Sequence, residues 1–226
     1  ASMVSLRVLQ NEALESLLAE AAQVLRERGV IAMPTESFYA LGACPLDDTA
    51  VRRVCTMKGR PEGKPIPVLI SDRAHLTAFA SDLTPGATVL MDRFWPGPLT
   101  IVFPALSRLP RRLTAGTGTI GVRCPAYPML LTLLRHVGPV TGTSANRSGA
   151  APACTASEVM AAFGAQLDLI LDGGPAPGGR PSTVVTTVGR LRLLREGQIP
   201  QDQIEAVLAE SGMSLVQSSL DGLGSS

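Results

Sequence analysis

The stretch that decides the fold runs from residue 11 to residue 34 and reads NEALESLLAEAAQVLRERGVIAMP. Apolar residues in its first half recur at the spacing of one helix face: Leu14, Leu17, Leu18, Ala21 and Leu25. Asn11 is placed to cap this helix, and Gly29 to end it. The next residues, VIAM, predict a short buried strand that Pro34 ends. A helix followed at once by a buried strand indicates an α/β fold.

The same alternation continues along the chain. Further helices are predicted over about 49–58, 84–95, 129–136 and 155–164. Further strands are predicted at IPVLI, PLTIVF, TIGVRC, GPVTGT, LDLIL, STVVTTV and LRLLRE. The last two strands flank Gly189 as a hairpin, which adds antiparallel pairing to a sheet of α/β type. We therefore expect a twisted mixed sheet with flanking helices.

The composition is that of a globular protein. Of 226 residues, 45% are hydrophobic and 17% charged, and the formal net charge is +1. This balance excludes a disordered chain and a protein that coats nucleic acid, so any anion site must be local. The four cysteines form no C-x-x-C pair, which favours reduced thiols in the cytoplasm over a zinc ribbon or disulfides. No apolar run reaches about 18 residues, so we expect no membrane insertion.

One segment rich in proline and glycine, DGGPAPGGRP at residues 172–181, could be an interdomain linker or a loop over a site. About 45 residues follow it, too few for a comfortable independent core, which favours the loop. We expect one domain over 9–208, an N-terminal segment at 1–8 and a flexible tail at 209–226. The first two residues, which precede Met3, are interpreted as a remnant of the expression vector.

Three cations lie close together in KGRPEGKP, residues 58–65. Lys58, Arg60 and Lys64 could offset the dipole of the preceding helix and face solvent. They could also bind a polyphosphate, because two prolines stiffen the segment, arginine offers a planar fork and lysine a point charge. Both interpretations place the three cations at the surface.

A second polar segment, TGTSANRSG at residues 141–149, gathers four hydroxyls, one amide and two glycines after an apolar strand. It could be an ordinary turn or a loop that orients a ligand. A nucleophilic serine is disfavoured, because the chain has no G-x-S-x-G.

Polar residues also stand at the ends of predicted strands. Arg123 and Arg195 could form surface salt bridges or clamp a carboxylate and a phosphate. Thr35, Glu36 and Ser37 follow the first strand, where they could form a plain turn or one edge of a site. No His, Cys and carboxylate residues have metal-ligand spacing, so a divalent ion would arrive with a phosphate ligand, as Mg²⁺ commonly does.

Seven motifs in order resemble the YrdC-like family, whose active members are threonylcarbamoyl-AMP synthases. The motifs are PTESFYALG, KGRP, WPGPLT, GVRCP, TSANRSG, STVV and LREG, and the resemblance runs from about residue 9 to about residue 208. The resemblance implies a YrdC-like fold, with the sheet around a concave, basic cavity. It implies that L-threonine, bicarbonate and ATP, the last with Mg²⁺, give threonylcarbamoyl-AMP and pyrophosphate. A separate transferase complex would use the product to modify tRNA.

The resemblance also implies roles for particular residues. The catalytic set would be the K-x-R and S-x-N motifs, namely Lys58, Arg60, Ser144 and Asn146. The same four residues would bind ATP together with Lys64, Thr119 and Arg195. The threonine site would contain Thr35, Arg123 and Ser182, with Arg123 on the substrate carboxylate.

The chain departs from the family pattern in three respects. Ala40 stands where glycine is common, and the strand ending VLIS lacks a histidine that some relatives carry near the threonine pocket. We also expect the short, single-domain form of the family. Two alternatives stay open: a non-catalytic RNA-binding or maturation factor of the same fold, and a carbamoyl-transferring relative with another acceptor.

Overall fold

The computed structural model describes residues 4–9, 13–59 and 64–217. Within these ranges it has seven α-helices: α1 (Leu14–Arg26), α2 (Asp48–Lys58), α3 (Pro85–Phe94), α4 (Arg111–Thr114), α5 (Pro128–Val137), α6 (Ala156–Phe163) and α7 (Gln201–Ala209). The strands of the same ranges are β1 (Ser5–Val8), β2 (Ile31–Pro34), β3 (Tyr39–Gly42), β4 (Val68–Leu69), β5 (Leu99–Pro104), β6 (Thr119–Arg123), β7 (Val140–Thr141), β8 (Thr143–Ser144), β9 (Leu169–Asp172), β10 (Thr183–Thr186) and β11 (Arg192–Arg195). Two 3₁₀ helices span Arg73–Ala78 and Gly164–Gln166.

The strands form two mixed sheets. The first has the order β1-β9-β2-β3-β8, with β9 parallel to both β1 and β2, and β3 antiparallel to β2 and β8. The second has the order β11-β10-β5-β6-β4-β7 and combines two parallel with three antiparallel pairings. The expected α/β class with mixed pairing and flanking helices is confirmed, and the strands divide between two sheets.

The two sheets share one continuous stretch of chain, residues 140–144. β7 belongs to the second sheet and β8 to the first, and Gly142 alone separates them. A Cβ on Gly142 would lie 2.4 Å from Cγ of Leu69, so a larger residue does not fit. The hydroxyl of Thr141 accepts a hydrogen bond from Ala43 N and donates one to Leu41 O, which ties this junction to β3.

The helix ends follow the sequence signals closely. Asp47 and Thr84 cap α2 and α3, each side chain accepting a hydrogen bond from a backbone N–H of the first turn. Gly59 ends α2 in the left-handed conformation, with φ of 59°, as its position predicts. Thr155 caps α6, while Glu158 accepts from Cys154 N rather than from Thr155 N.

The first helix ends differently from the prediction. The left-handed position after α1 is Arg28, with φ of 63°, and not Gly29. Gly29 is instead required by packing, because a Cβ there would lie 2.8 Å from the carbonyl oxygen of Val24. The predicted cap, Asn11, lies outside the described residues.

The sequence predicted a plain turn or one edge of a site at residues 35–37, and it did not predict the strand that follows them. Residues 39–42 form β3, with Met33 opposite Ala40. A tight turn at residues 35–38 folds β3 back on β2, so the apolar YALG becomes a fully buried central strand.

The core has two parts. A smaller cluster packs α1 and α5 against one face of the first sheet through leucines such as Leu17, Leu130 and Leu169. A larger one involves α2, α3, α6 and α7 and both sheets. Burying this much apolar surface is the main favourable term in folding. None of the described helices has both the length and the apolar character that crossing a bilayer requires.

Candidate functional site

A cavity of about 490 Å³ opens where the two sheets meet. β3 and β8 line it from the first sheet, and β5, β6, β10 and β11 from the second. Its polar lining consists of Thr35, Ser37, Tyr39, Thr100, Thr117, Thr119, Arg123, Thr143, Ser144, Ser182 and Arg195. The charged groups in this described lining are therefore two guanidiniums, which suits anionic ligands.

Arg123 is the buried cation of the cavity. It ends β6, is only 6% exposed and forms an ion pair with Glu36, whose Oε1 accepts from Nη1. Burial lowers the pKa of Arg123 from its ordinary value, while the nearby Glu36 carboxylate raises it. The guanidinium remains protonated, since arginine does not lose its proton in proteins. β6 and the turn after β2 are thus joined by a charge pair at the cavity wall.

The turn that carries Glu36 is held by its own side chains. The Thr35 hydroxyl donates to Phe38 O at 2.7 Å and accepts from Ser37 N at 3.1 Å. The Ser37 hydroxyl lies 3.1 Å from that of Thr35. These local bonds close the turn at residues 35–38 and leave the two hydroxyls along the cavity wall.

Arg195 is the exposed cation of the cavity. It ends β11, and its Nε and Nη2 donate to the carbonyl oxygen of Ser182 at 3.1 and 2.8 Å. The Ser182 hydroxyl lies 2.8 Å from that of Thr100 on β5. Desolvation lowers the pKa of Arg195 from its ordinary value, with the Arg123 charge as a second cause. The two arginines therefore lie close enough to repel each other, and an anion between them would relieve that repulsion.

Lys58 does not face solvent, and the prediction of a surface position is wrong for it. It is 3% exposed, and its ammonium donates to Ser144 O, to Asn146 O at 3.0 Å and to Asn146 Oδ1 at 3.2 Å. The Ser144 hydroxyl donates to Asn146 Oδ1 at 2.6 Å. Lys58 thus holds the S-x-N segment, residues 144–146, in place through these hydrogen bonds.

A second basic residue holds the same segment from its other side. Arg147 donates to Met57 O at 3.3 Å and to Ala162 O at 3.2 Å, and its guanidinium lies 5.6 Å from the ring centre of Phe163. These contacts join the segment after β8 to α2 and α6. The polar turn at 144–149 is therefore held by Lys58 from the end of α2 and by its own Arg147, which contacts α2 and α6.

The loop between β9 and β10 closes one side of the cavity with Pro181 and Ser182. Tyr39 anchors its start: the phenol donates to Gly174 O at 2.7 Å and accepts from Gly173 N at 3.2 Å. Burial is the main cause that raises the pKa of Tyr39 to about 12, so the phenol keeps its proton at neutral pH. Gly178 N donates to Ser37 O, which attaches the middle of the loop to the turn at 35–38.

Most residues predicted from the sequence come together here. Six of the ten line the cavity: Thr35, Thr119, Arg123, Ser144, Ser182 and Arg195. Lys58 and Asn146 contact Ser144 from behind, and Lys64 is exposed next to Pro65, which lines the cavity. Arg60 lies outside the described residues. The binding roles assigned to all ten remain predictions.

Sequence reasoning missed several lining residues. Thr100 and Thr117 contribute hydroxyls, and Thr117 lies 2.8 Å from Thr119, hydroxyl to hydroxyl. Thr100 could have been found from strand alternation, since it lies in an otherwise apolar strand. Leu69, at the VLIS motif, is 1% exposed and presents an apolar wall to the cavity.

A second recess lies between α1 and α5 and is lined by apolar side chains, including Leu17 and Leu133. Its volume is about 10 Å³, at the lower limit of what one water molecule needs. It is a packing defect rather than a ligand site.

Comparison with known proteins finds similarity along most of the chain. The family model Sua5_yciO_yrdC, described as telomere recombination, matches residues 23–197. Over 192 residues the chain is 39% identical to a threonylcarbamoyl-AMP synthase of Pyrococcus abyssi, covering 84% of this chain and 56% of that protein. Over 163 residues it is 44% identical to a threonylcarbamoyl-AMP synthase of Thiobacillus denitrificans, covering 71% and 86%.

The same relationship is found among solved structures. The fold matches the crystal structure of P. abyssi Sua5 complexed with L-threonine with a TM-score of 0.86 and 34% identity, over 98% of this chain and 66% of that one. The chain spans little more than half the length of the Pyrococcus relative, at 56%.

Proposed function

The chain belongs to the Sua5/YciO/YrdC family, and from that premise we propose that it is a threonylcarbamoyl-AMP synthase. In this reaction L-threonine, bicarbonate and ATP give threonylcarbamoyl-AMP and pyrophosphate. The threonine amine forms an N–C bond to bicarbonate as a C–O bond breaks and water leaves, and the new carboxylate attacks the α-phosphorus as pyrophosphate leaves. The protein would then be a nucleotidyltransferase that supplies an activated group for tRNA modification.

The observation that carries the proposal is the chemistry of the cavity lining. Its described polar groups are hydroxyls and two guanidiniums, Arg123 and Arg195. Both reaction partners are anions, so the site must neutralise charge and hold an in-line geometry rather than provide a nucleophile. A volume of about 490 Å³ is in the range of ordinary small-molecule sites.

The residues in and around the cavity would divide between the two substrates. Arg123, Thr35 and Ser182 would bind threonine, with the guanidinium on its carboxylate. Arg195, Thr119 and Ser144 would seat ATP, together with Arg60 and Lys64 at the triphosphate. Lys58 and Asn146 would act indirectly, by holding the segment that carries Ser144 in position. Mg²⁺ would enter with ATP, because it usually keeps several waters and binds through substrate phosphates.

The product is a mixed anhydride, which hydrolyses readily and must be passed on. We place the chain in the cytoplasm, upstream of a transferase complex that attaches the threonylcarbamoyl group to tRNA. Direct RNA binding is not required for this role.

Pyrophosphate release from ATP by the purified protein tests the proposal. Release should require both L-threonine and bicarbonate, and the nucleotide product should carry the mass of threonylcarbamoyl-AMP. Replacing threonine by alanine, which lacks the hydroxyl and methyl groups, should lower the rate. Release that continues when threonine and bicarbonate are left out would refute the assignment.

A further inference from the structure

Glu36 has one carboxylate oxygen that the fold does not use. Its Oε1 pairs with Arg123, while Oε2 is buried and has no hydrogen-bond partner among the described residues. An unpaired buried carboxylate oxygen is costly, and native structures usually avoid it. The exception stands at the cavity wall, between Thr35 and Ser37, which both line the cavity. This placement indicates that a donor from a ligand completes the pairing.

The proposed reaction requires such an acceptor. An amino acid enters as its ammonium form, and only the free amine has the lone pair that forms a bond to bicarbonate. None of the described lining residues is a carboxylate, a histidine or a lysine. Arginine cannot accept a proton, and hydroxyls are weak bases. Glu36 is not itself a lining residue, but its ion pair with Arg123 and its neighbours Thr35 and Ser37 place a carboxylate next to this lining.

Arg123 can bring the Glu36 carboxylate and the substrate ammonium close to each other. A guanidinium has five N–H donors in one plane, so it can hold two carboxylates on different edges. With the Glu36 carboxylate on one edge and the substrate carboxylate on another, the α-amine lies one carbon from the latter. The ammonium is then a natural donor for the free Oε2 of Glu36.

We propose that Glu36 is a catalytic residue that binds the substrate ammonium and removes one of its protons. The inference rests on the proposed function. The proton moves from nitrogen to the carboxylate, which gives the free amine and a neutral carboxylic acid. The amine nitrogen then bonds to the carbon of bicarbonate, the C–OH bond breaks, and the hydroxide leaves as water with the second amine proton. Glu36 returns its proton to solvent.

The variant Glu36→Gln tests this assignment in the purified full chain, with pyrophosphate release as the readout. The ratio kcat/KM for threonine should fall about 100-fold near pH 7, the usual size of a general-base effect. The ratio of wild-type to variant kcat/KM should fall about tenfold per pH unit up to about pH 9, because more threonine then arrives as free amine. Glu36→Asp, which keeps the carboxylate, should retain more activity, with a pH profile parallel to that of the wild type.

The pH dependence can be assigned because the groups that face Glu36 do not change charge in this range. Arg123 stays protonated, as does Arg195 beyond it. Burial raises the pKa of Cys124, with Glu36 as a second cause, so that thiol stays neutral. Arg135 and Asp72 are the other charged groups that act on Cys124.

Glu210→Gln is the matched control, since it removes a carboxylate from an exposed ion pair with Arg93. It should match the wild type at every pH. A Glu36→Gln deficit that is constant with pH would indicate a structural role and overturn the proposal, as would unchanged activity. If Glu36→Gln does not fold, Glu36→Asp is the deciding variant. A loss of kcat/KM in Glu36→Asp that disappears as the pH rises would then overturn the proposal, because this variant keeps the carboxylate. A wild-type protein without threonine-dependent release would refute the proposed function itself.

Discussion

Arg123 and Arg195 line the same cavity with the same functional group, yet they are held in different ways. Arg123 is 6% exposed and pairs with a carboxylate, whereas Arg195 is exposed and donates to the neutral carbonyl and hydroxyl of Ser182. A buried charge must be neutralised within the fold, but an exposed one remains solvated. Arg123 is therefore expected to contribute to stability, whereas Arg195 would be available to pair with a ligand.

The largest effect is expected from Arg123→Met. It leaves Glu36 buried without its partner, so the free energy of unfolding should fall by about 3–5 kcal/mol. Urea denaturation followed by circular dichroism measures this loss. The double variant Arg123→Met with Glu36→Gln should recover part of it, because no charge then remains buried. A loss below about 1 kcal/mol in the single variant would show that the pair contributes little.

Lys58→Met extends the comparison to a buried cation that is held by neutral acceptors. It leaves the carbonyl oxygens of Ser144 and Asn146 without the ammonium, which should cost about 2 kcal/mol. Lys64→Met is the control, since an exposed lysine should change unfolding by less than about 0.5 kcal/mol. Equal stability of the two variants would contradict the burial of Lys58. If both lysines act on ATP phosphates, both variants should also weaken ATP binding.

Ser182→Ala tests how much the hydrogen bonds of the Ser182 hydroxyl, which contacts Arg195, contribute to stability. It removes the hydroxyl partner of Thr100 and one acceptor of Arg195, but it leaves the backbone carbonyl that Arg195 also uses. The free energy of unfolding should fall by about 1 kcal/mol, the usual net value of a hydrogen bond. Thermal unfolding monitored by calorimetry gives the number, and Ser148→Ala at an exposed position provides the baseline. A Ser182→Ala protein as stable as that baseline would show that the Thr100 contact is not stabilising.

Arg195→Ala should have the smallest effect on stability and a clear one on binding. Because the side chain is exposed, unfolding should change by less than about 1 kcal/mol. The KM for ATP should rise about tenfold, and its dependence on salt should weaken, since one screened charge contact is lost. Arg192→Ala, an exposed arginine of the same strand, is the matched control. A Michaelis constant for ATP that stays unchanged in Arg195→Ala would remove this residue from the nucleotide site.

Much of the fold could be predicted from the sequence because its signals are local. The apolar spacing of α1, the Thr84-Pro85 start of α3 and the glycine after α2 each act within a few residues. The division into two sheets could not be predicted, because it depends on pairings such as β1 with β9, which lie more than 150 residues apart in sequence. Strand periodicity does not specify which partner a strand finds.

The candidate site shows the same limit. Strand-end polar residues such as Thr35 and Arg123 could each be identified as site candidates, since ligands usually bind at strand ends in α/β sheets. The burial of Lys58 could not, because a lysine after a helix usually faces solvent. The pairing of Glu36 with Arg123 was also missed, since no local pattern connects residues 87 positions apart.

The junction at Gly142 has a mechanical consequence for the cavity. One uninterrupted stretch of chain pairs with β4 in one sheet and β3 in the other, and the Thr141 hydroxyl fastens it further. The two sheets therefore cannot move apart at this junction, and their connection fixes the width of the cavity there. Any change in the width of the cavity would then have to involve its loops, such as residues 173–181 between β9 and β10, whose first residues are bonded to Tyr39.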